Sequence, residues 1–447
     1  MSRPLPLSGF PEWLPGQQVV AQRVLDTLRR TFELHGFAPV HTRAVETLDW
    51  LAGESEANKE IYLLRRLHDE DAGDTADADP GRRLGLHFDL TVPFARYVVE
   101  NAGRLTFPFR RYQIQQVWRG ERPQEGRFRE FTQADIDVVG DGELPFHYDV
   151  ELPLVMADAL RALPIPPVRM LVNNRKLAEG FYRGLGVPDV PAALRAVDKL
   201  DKVGPQGVAD ELAAQAGATD AQAKACLRLA EISSDDLSFA DQVRALGVSD
   251  PLLDEGLDEL STVVEEVREH APGLVVADLR IARGLDYYTG TVYETLLAGH
   301  EDLGSICSGG RYDNLASAGG RRYPGVGLSV GVTRLLSRLL GAGLVRASRP
   351  VPTAVLIALH DEAGRPAANQ LAATFRERGI ATEVSPTAAK YGKQIRYADR
   401  RGIPYVWFPG SGEQPHQVKD LRSGEQVDAD PTSWAPPPAD AWPGMVT

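Results

Sequence analysis

Two segments, Arg111–Val117 and Arg129–Val139, flank the turn RGERPQEGRFRE at 119–130, and this pairing constrains the chain more than any other stretch. Read with a period of two, the second segment sets Arg129, Phe131, Gln133, Asp135 and Asp137 on one face. Thr132, Ala134, Ile136 and Val138 fall on the other, so one face is expected to pack and the other to meet a polar ligand. The turn brings Arg119, Arg122, Arg127 and Arg129 within eleven residues. Planar guanidinium forks match phosphate oxygens well, which makes chemistry with a polyphosphate the first expectation. Taken alone, the same residues also describe a charged hairpin tip laced by salt bridges to Glu121, Glu125 and Glu130. Other segments have to decide.

With 447 residues, 43% hydrophobic and 25% charged, the chain has room for two to four soluble domains. The longest apolar stretch, 326–345, is interrupted by Arg334 and Arg338, which a spanning helix tolerates poorly. The N-terminal MSRPLPLSGFPEW is broken by prolines and lacks an apolar core, so a cytoplasmic protein without a membrane partner is expected. Cys226 and Cys307 supply neither a disulfide framework nor a four-ligand zinc site, and no protein-only metal site is expected. A formal charge of −13 argues against nucleic-acid binding by bulk electrostatics but leaves room for local basic patches.

Punctuation and composition divide the chain. Apolar residues at helical spacing predict a helix over 16–34, with a strand from Ala38. The acidic segment 69–83 reads as a mobile surface loop. Strands are expected at 84–90, 110–117 and 130–139, with helices at 93–101 and 149–162; together they make 1–167 the first part of one domain. From 168 to 278 the pattern turns helical and Ala-, Asp-, Glu- and Leu-rich, including VDKLDKVG at 197–204, and reads as an insertion. Strands return at 279–281, 291–296 and 326–329, the last leading into a helix, so 279–344 completes the first domain. A linker at 345–352 precedes a βαβαβ alternation over 353–430, and the proline-rich tail 431–447 is expected to be extended or disordered.

Four further segments bear on the polyphosphate reading. RIARGLDYYTGTVYE at 280–294 sets Arg283 ahead of Asp286, Tyr287 and Tyr288; SICSGGRYDNL at 305–315 carries the Gly309-Gly310 pair; HFDLTVPFARY at 87–97 carries Asp89 and Thr91. GVGLSVGVTRL at 325–335 is glycine-rich ahead of a helix and places Arg334 one turn in, yet it has neither the lysine of GxxxxGK[ST] nor the spacing of GxGxxG.

In combination and order, these segments resemble the class II aminoacyl-tRNA synthetases and, in detail, the histidyl-tRNA synthetase family. Arg119, Glu121 and the loop to Arg129 resemble the class's second motif, and GVGLSVGVTRL its third; RGLDYYTGTVYE and SGGRYDNL resemble two histidine-specific signatures, and DLTVPFARY the amino-acid-binding segment. KYGKQIRYADRRG and VKDLRSGEQV are similar to the family's anticodon-binding module, so the likeness spans roughly 17–430. In the first motif Arg43 stands where a proline is usual.

The resemblance implies an α+β fold: an antiparallel catalytic sheet flanked by helices, a helical insertion and a C-terminal α/β anticodon-binding domain. It implies that histidine and ATP, carried as its Mg²⁺ complex, form histidyl-adenylate, and that the histidyl group passes to the 3′ end of tRNA(His), in a homodimer. Arg119 and Arg283 would meet the α-phosphate and Arg127 the outer phosphates; Phe131 and Arg334 would sandwich the adenine while Glu121 holds the nucleotide. Asp89, Thr91 and Gln133 would bind the ammonium group, Asp137 and Tyr288 would read the two imidazole nitrogens, and Tyr287 would belong to the same histidine site. Lys390, Lys393, Arg396 and Arg400, near one helical face, would contact tRNA in the anticodon region, with Arg122 and Gln124 at the acceptor end. Two alternatives are a regulatory paralogue that binds histidine or a partner enzyme without aminoacylation, and a ligase that activates a carboxylate without tRNA.

Overall fold

The computed structural model describes residues 5–52, 60–65, 83–281, 287–411 and 414–447. The acidic segment 69–83, apart from Arg83, and the residues Arg283 and Asp286 lie outside them. The chain forms two compact units: Leu25–Arg338 with the segment ending at Pro11, and Leu339–Thr447 with Glu12–Val24, the division falling within helix α1 (Pro15–Leu34).

The first unit is built on nine strands. After β1 (Ala38–Pro39), the arginine-rich pair forms β2 (Phe109–Trp118) and β3 (Glu130–Val139), antiparallel from Phe109↔Val139 to Trp118↔Glu130. β4 (Val168–Asn174), β5 (Ser233–Ser234), β6 (Val275–Asp278), β7 (Thr291–Leu297), β8 (Cys307–Tyr312) and β9 (Gly325–Gly331) complete the order β1-β2-β3-β9-β8-β7-β4-β6-β5. Only β1·β2 and β4·β6 run parallel. The glycines of β8 and β9 answer a steric demand: a Cβ on Gly309 would stand 2.0 Å from the Gly327 carbonyl oxygen, and one on Gly327 2.1 Å from Asp137 Oδ1. The glycine-rich run is thus an inner strand, and the Gly309-Gly310 pair lies within β8.

Helices bury apolar stripes against this sheet. α2 (Thr91–Asn101) packs Phe94, Ala95 and Val98 with Val139, Ala316 and Tyr323. α3 (His147–Arg161) buries Val150, Leu152, Val155, Met156 and Ala159. The insertion supplies α4 (Arg175–Gly184), α5 (Val190–Val197), α6 (Leu200–Ala216), α7 (Asp220–Ala230), α8 (Ser238–Arg244) and α9 (Pro251–His270). Gly180 and Gly256 let α4 and α9 cross backbone to backbone, a Cβ on either meeting the other helix's amide nitrogen at 2.2 Å.

The helical reading of the two ends of 168–278 needs correction. These ends, Val168–Asn174 and Val275–Asp278, are strands of the main sheet, and the strand expected at 279–281 is not one. Short apolar runs fit a buried strand and a buried helix equally by periodicity, so the pattern alone does not separate the two at these edges.

α10 (Val332–Gly341) leads to the second unit. There β10 (Val355–Ile357), α11 (Arg365–Glu377), β11 (Thr382–Val384), α12 (Tyr391–Arg401), β12 (Tyr405–Phe408), β13 (Gln417–Asp420) and β14 (Gln426–Asp428) follow in chain order. The sheet order is β11-β10-β12-β13-β14, with the first three strands parallel. Alternation along β10 sends Val355 and Ile357 to Ala368, Ala372 and Phe375 of α11, and Leu356 to Ala398 of α12, as expected for a strand covered on both faces.

The tail is ordered, contrary to expectation. Trp434 meets Phe375, Tyr405 and Trp407 edge-on at centroid distances of 6.0, 5.4 and 5.7 Å. Asp440 accepts hydrogen bonds from Arg422 and from the Tyr405 hydroxyl, and Met445 and Val446 pair with Ala347 and Arg346 inside the supposed linker. One aromatic anchor and one carboxylate outweigh the disordering composition. Trp434→Ala should therefore destabilise this unit by about 2 kcal/mol or more. Calorimetric melting checks this; an unchanged transition would show that the ring adds no packing.

Candidate functional site

The hairpin β2–β3 and the start of α10 build an arginine-lined compartment. Arg119 follows β2; its Nε donates to the Phe88 carbonyl at 2.9 Å and its guanidinium lies 5.0 Å from the Phe131 ring centroid. Arg334, in the first turn of α10, donates to the carbonyls of Gly126 at 2.7 Å and Ser305 at 2.6 Å. Burial, with Arg127 and Arg119 nearby, lowers the pKa of Arg334. Arg119, Glu121, Arg127, Phe131, Gln133 and Arg334 line one cavity. Of the four turn arginines, only Arg127 pairs with Glu121, Glu125 or Glu130 among the described residues, at 3.5 Å from Glu121. The salt-bridged-tip reading therefore accounts for one arginine.

The second compartment adjoins the first through Arg119, Gln133, Ser308 and Ser329, which line both. Asp89, Thr91, Tyr287 and Tyr288 line it as well. Asp89 Oδ1 accepts from the Val92 amide at 3.1 Å, satisfying a donor at the start of α2, and the Tyr287 hydroxyl donates to Oδ2 at 3.4 Å. Burial pushes the Asp89 carboxyl up to about 6, against the pull of the Val92 amide and Arg119. Gln133 donates Nε2 to Ser329 Oγ at 2.6 Å, and its Oε1 is buried without a hydrogen-bond partner among the described residues. Burial also raises the hydroxyl pKa values of Tyr287 and Tyr288, so both are neutral donors at physiological pH.

Asp137 sits deeper. At 2% exposure it is no solvent-facing strand-end carboxylate: Arg111 Nη2 lies 2.7 Å away and the Tyr312 hydroxyl donates at 2.6 Å. Burial raises its pKa even against Arg111. With Thr91, Asp135, Tyr288 and Tyr312 it lines a small recess. Asp135 accepts from Ser329 Oγ, and burial pushes its carboxyl up to about 7, Arg111 pulling the other way.

Arg111, Tyr312, Asp135 and Ser329 carried no assigned role in the sequence reading. For three of them the signal is register: Arg111 lies opposite Asp137 across β2·β3, and Ser329 opposite Asp135 across β9·β3, whereas Tyr312 pairs with Gly325 and reaches Asp137 only through its hydroxyl. Arg122 and Gln124 are exposed at the hairpin tip, which Gln124 and Arg127 pinch with paired backbone hydrogen bonds. In the second unit Lys393, Arg396 and Arg400 are exposed along α12, with Lys390 just before it. Arg43 donates to Glu46, which also holds buried Arg96. Among the described residues no group of three or more acidic, histidine or cysteine side chains is placed to hold a metal, and no helix is long and apolar enough to cross a membrane.

Comparison with known proteins gives this geometry a family. The histidyl-tRNA synthetase family profile matches residues 9–335, and an anticodon binding domain profile matches 353–433. The chain belongs to the histidyl-tRNA synthetase family. It is 61% identical to the histidine–tRNA ligase of Micrococcus luteus, covering 100% of this chain and 99% of that protein. Identity to the Thermobifida fusca histidine–tRNA ligase is 54%, over 97% and 98% of the two chains. The crystal structure of histidyl-tRNA synthetase from Nostoc superposes with a TM-score of 0.82 at 36% identity, over 95% of this chain and 96% of that one. A Bacillus halodurans protein described as an ATP phosphoribosyltransferase regulatory subunit/histidyl-tRNA synthetase shares the fold, with a TM-score of 0.72 at 19% identity and coverage of 92% and 100%. The synthetase fold expected from the sequence is the one found.

Because Asp135 keeps its proton to about pH 7 in the folded chain but ionises near 3.8 in the reference state, the folded chain binds more protons between these values. That contribution favours folding at low pH and is lost as pH rises through about 7. Asp135→Asn, which cannot ionise, should lose less melting temperature than the parent between about pH 5 and pH 8. Parallel melting curves would mean that Asp135 is ionised throughout.

Proposed function

We propose that this chain is an ATP-dependent histidine–tRNA ligase. The observation that carries the reading is one cleft with an arginine-lined half and a carboxylate- and tyrosine-lined half joined at Arg119, in a chain with full-length similarity to histidine–tRNA ligases. ATP, as its magnesium complex, occupies the arginine side, with Arg127 toward the outer phosphates, Phe131 and Arg334 about the adenine, and Glu121 accepting a hydrogen bond from the nucleotide. Histidine occupies the other side. Its ammonium group meets Asp89, to which Tyr287 donates, Thr91 and the unsatisfied Gln133 Oε1; its ring lies toward Asp137 and Tyr288.

The histidine carboxylate attacks the α-phosphorus, the bond to the bridging oxygen breaks, and pyrophosphate leaves. A terminal ribose hydroxyl of tRNA(His) then attacks the histidyl carbonyl, losing its proton as AMP leaves. The protein's contribution is orientation and preorganised positive charge at the α-phosphate from Arg119 and Arg283. Neutral imidazole has one donor and one acceptor nitrogen, and a carboxylate with tyrosine hydroxyls complements both. An apolar analogue would leave those buried groups unpaired, which is a strong basis for rejecting it. Support for the homodimer is the family resemblance alone, with Arg43 at the usual proline of the first motif, and sedimentation of the purified chain tests it.

Charging of purified tRNA with radiolabelled histidine separates the alternatives. A regulatory paralogue binds histidine but neither exchanges pyrophosphate nor charges tRNA; a tRNA-independent ligase exchanges without charging. The fold does not discriminate, since it is shared with the Bacillus halodurans protein, whereas full-length identity favours the ligase.

Arg283→Ala should slow ATP–pyrophosphate exchange by roughly two to three orders of magnitude, the scale for one lost charge-stabilising donor, with histidine affinity changing far less. Near-normal exchange would remove Arg283 from the mechanism. Replacing Lys393, Arg396 and Arg400 together with Ala should weaken tRNA binding and flatten its salt dependence by about two to three units in a log–log plot. An unchanged slope would return α12 to an ordinary solvated surface.

A further inference from the structure

Gln133 stands at the junction of the two compartments, and a side-chain amide offers either an acceptor or a donor to whatever enters. An ammonium group needs the acceptor, so the residues behind the amide have to choose its orientation. Its cross-strand neighbours do not. Gln115, opposite on β2, gives its Nε2 to the Thr42 carbonyl at 3.0 Å and receives Gln113 Nε2 on its Oε1 at 2.7 Å; Gly331, opposite on β9, has no side chain. Among the described residues the Gln133 amide bonds one side chain, Ser329, whose Oγ accepts from Nε2 at 2.6 Å and donates its own proton to Asp135 Oδ1.

Counting protons along this chain fixes the amide. An ionised carboxylate only accepts, so with Asp135 charged the single hydroxyl proton of Ser329 is committed to it, and Oγ is left as an acceptor that only the Nε2 end of Gln133 can meet. Oε1 then faces away, buried and without a hydrogen-bond partner among the described residues. A protonated Asp135 can donate to Oγ instead. That releases the serine proton toward the amide, the two ends of Gln133 exchange places, and an NH2 group is set against an incoming ammonium.

We propose that Asp135 and Ser329 form a proton-ordered relay that holds the Gln133 amide oxygen toward the amino group of the substrate, which makes both of them positioning residues for ammonium recognition; this rests on the reading of the compartment as a histidine site. The surroundings of Asp135 suit the task. Among the described residues it is faced by the cation Arg111 of β2, by the carboxylates of Asp137 on β3 and Asp89 before α2, and by Tyr288, Tyr312 and Cys307, which burial keeps neutral. Burial raises its carboxyl to about 7, so the relay is set as pH rises through that value and lost below it.

Calorimetric titration of the full-length protein with histidine and with imidazolepropionate, which is histidine without its amino group, tests the relay. Ser329→Ala removes the link, and Asp135→Asn puts a permanent donor where the carboxylate accepts. Each should weaken histidine binding about tenfold, the scale for one hydrogen bond to a charged group, and leave imidazolepropionate within about twofold. Because both residues act through one amide, the double variant should lose no more than about twofold beyond either single one. Free histidine titrates near about 6.5, an effect that cancels in the ratio of parent to Ser329→Ala affinity. That ratio should grow as pH rises through about 7. Unchanged histidine affinity in both variants, equal losses for the two ligands, additive losses in the double variant or a ratio flat in pH would each overturn the relay. Since affinity is read without ATP or tRNA, a parent that binds histidine as described but exchanges no pyrophosphate counts against the ligase reading alone; a parent that does not bind histidine overturns the relay with it.

Discussion

A guanidinium buried in the middle of a β-sheet is costly, and the site is organised around the one at Arg111. Fully buried, it lies 2.7 Å from Asp137 and 4.2 Å above the ring of Phe94. Desolvating two charges costs several kcal/mol each, which is recovered only with good geometry and satisfied neighbours. Register supplies the geometry. Arg111 faces Asp137 across β2·β3, Gly327 faces Asp137 from β9, and a side chain at Gly327 would collide with the carboxylate. A slip of one residue in β2 or β3 would send a charge to the opposite face, so burying this pair fixes the register of the strands that floor the cleft. Asp135, on the same face, feels the same cation from farther away and retains its proton to about pH 7.

The two halves of the cleft are tied together by a short stretch of backbone. The Phe88 carbonyl holds Arg119, and the next residue, Asp89, satisfies an amide in the first turn of α2. A movement of this segment would shift the cation of one half and the carboxylate of the other together. Coupling of this kind suits a reaction in which an amino-acid carboxylate must meet a phosphorus atom at a set distance, because both partners are located from one reference.

What the sequence made legible was local or cumulative. The period-two alternation of β3, the helical stripe of α1 and the βαβαβ order of the second unit all translate into structure. What it hid depends on partners far along the chain. Asp137 reads as one more polar residue on a strand face until Arg111 and Tyr312 are opposite it. The edges of the insertion are strands because β7 pairs with β4, and nothing within Val168–Asn174 announces that. The tail has a disordered composition, but a single tryptophan reaches three rings of the core beside it. Arg283 and the acidic segment 69–82 stay at the level of expectation, being outside the described residues.

An acidic protein that handles polyanions must keep its cations where the acidic bulk cannot neutralise them. In the cleft this is done by binding arginines to carbonyl oxygens: Arg119 on Phe88, Arg334 on Gly126 and Ser305. A carbonyl orients the guanidinium without cancelling its charge, unlike a carboxylate. On α12 the device is different. Gln394 is buried and exchanges two hydrogen bonds with the backbone of Leu359, at 2.9 and 2.7 Å, and Ala398 packs beneath it. The helix is thus seated by a neutral amide and a methyl group, and Lys393, Arg396 and Arg400 are left on its outer side. With a formal net charge of −13 over the whole chain opposing RNA, the contact proposed for this face would be confined to those cations and sensitive to salt, which would favour a partner whose phosphates fit the spacing over nucleic acid in general.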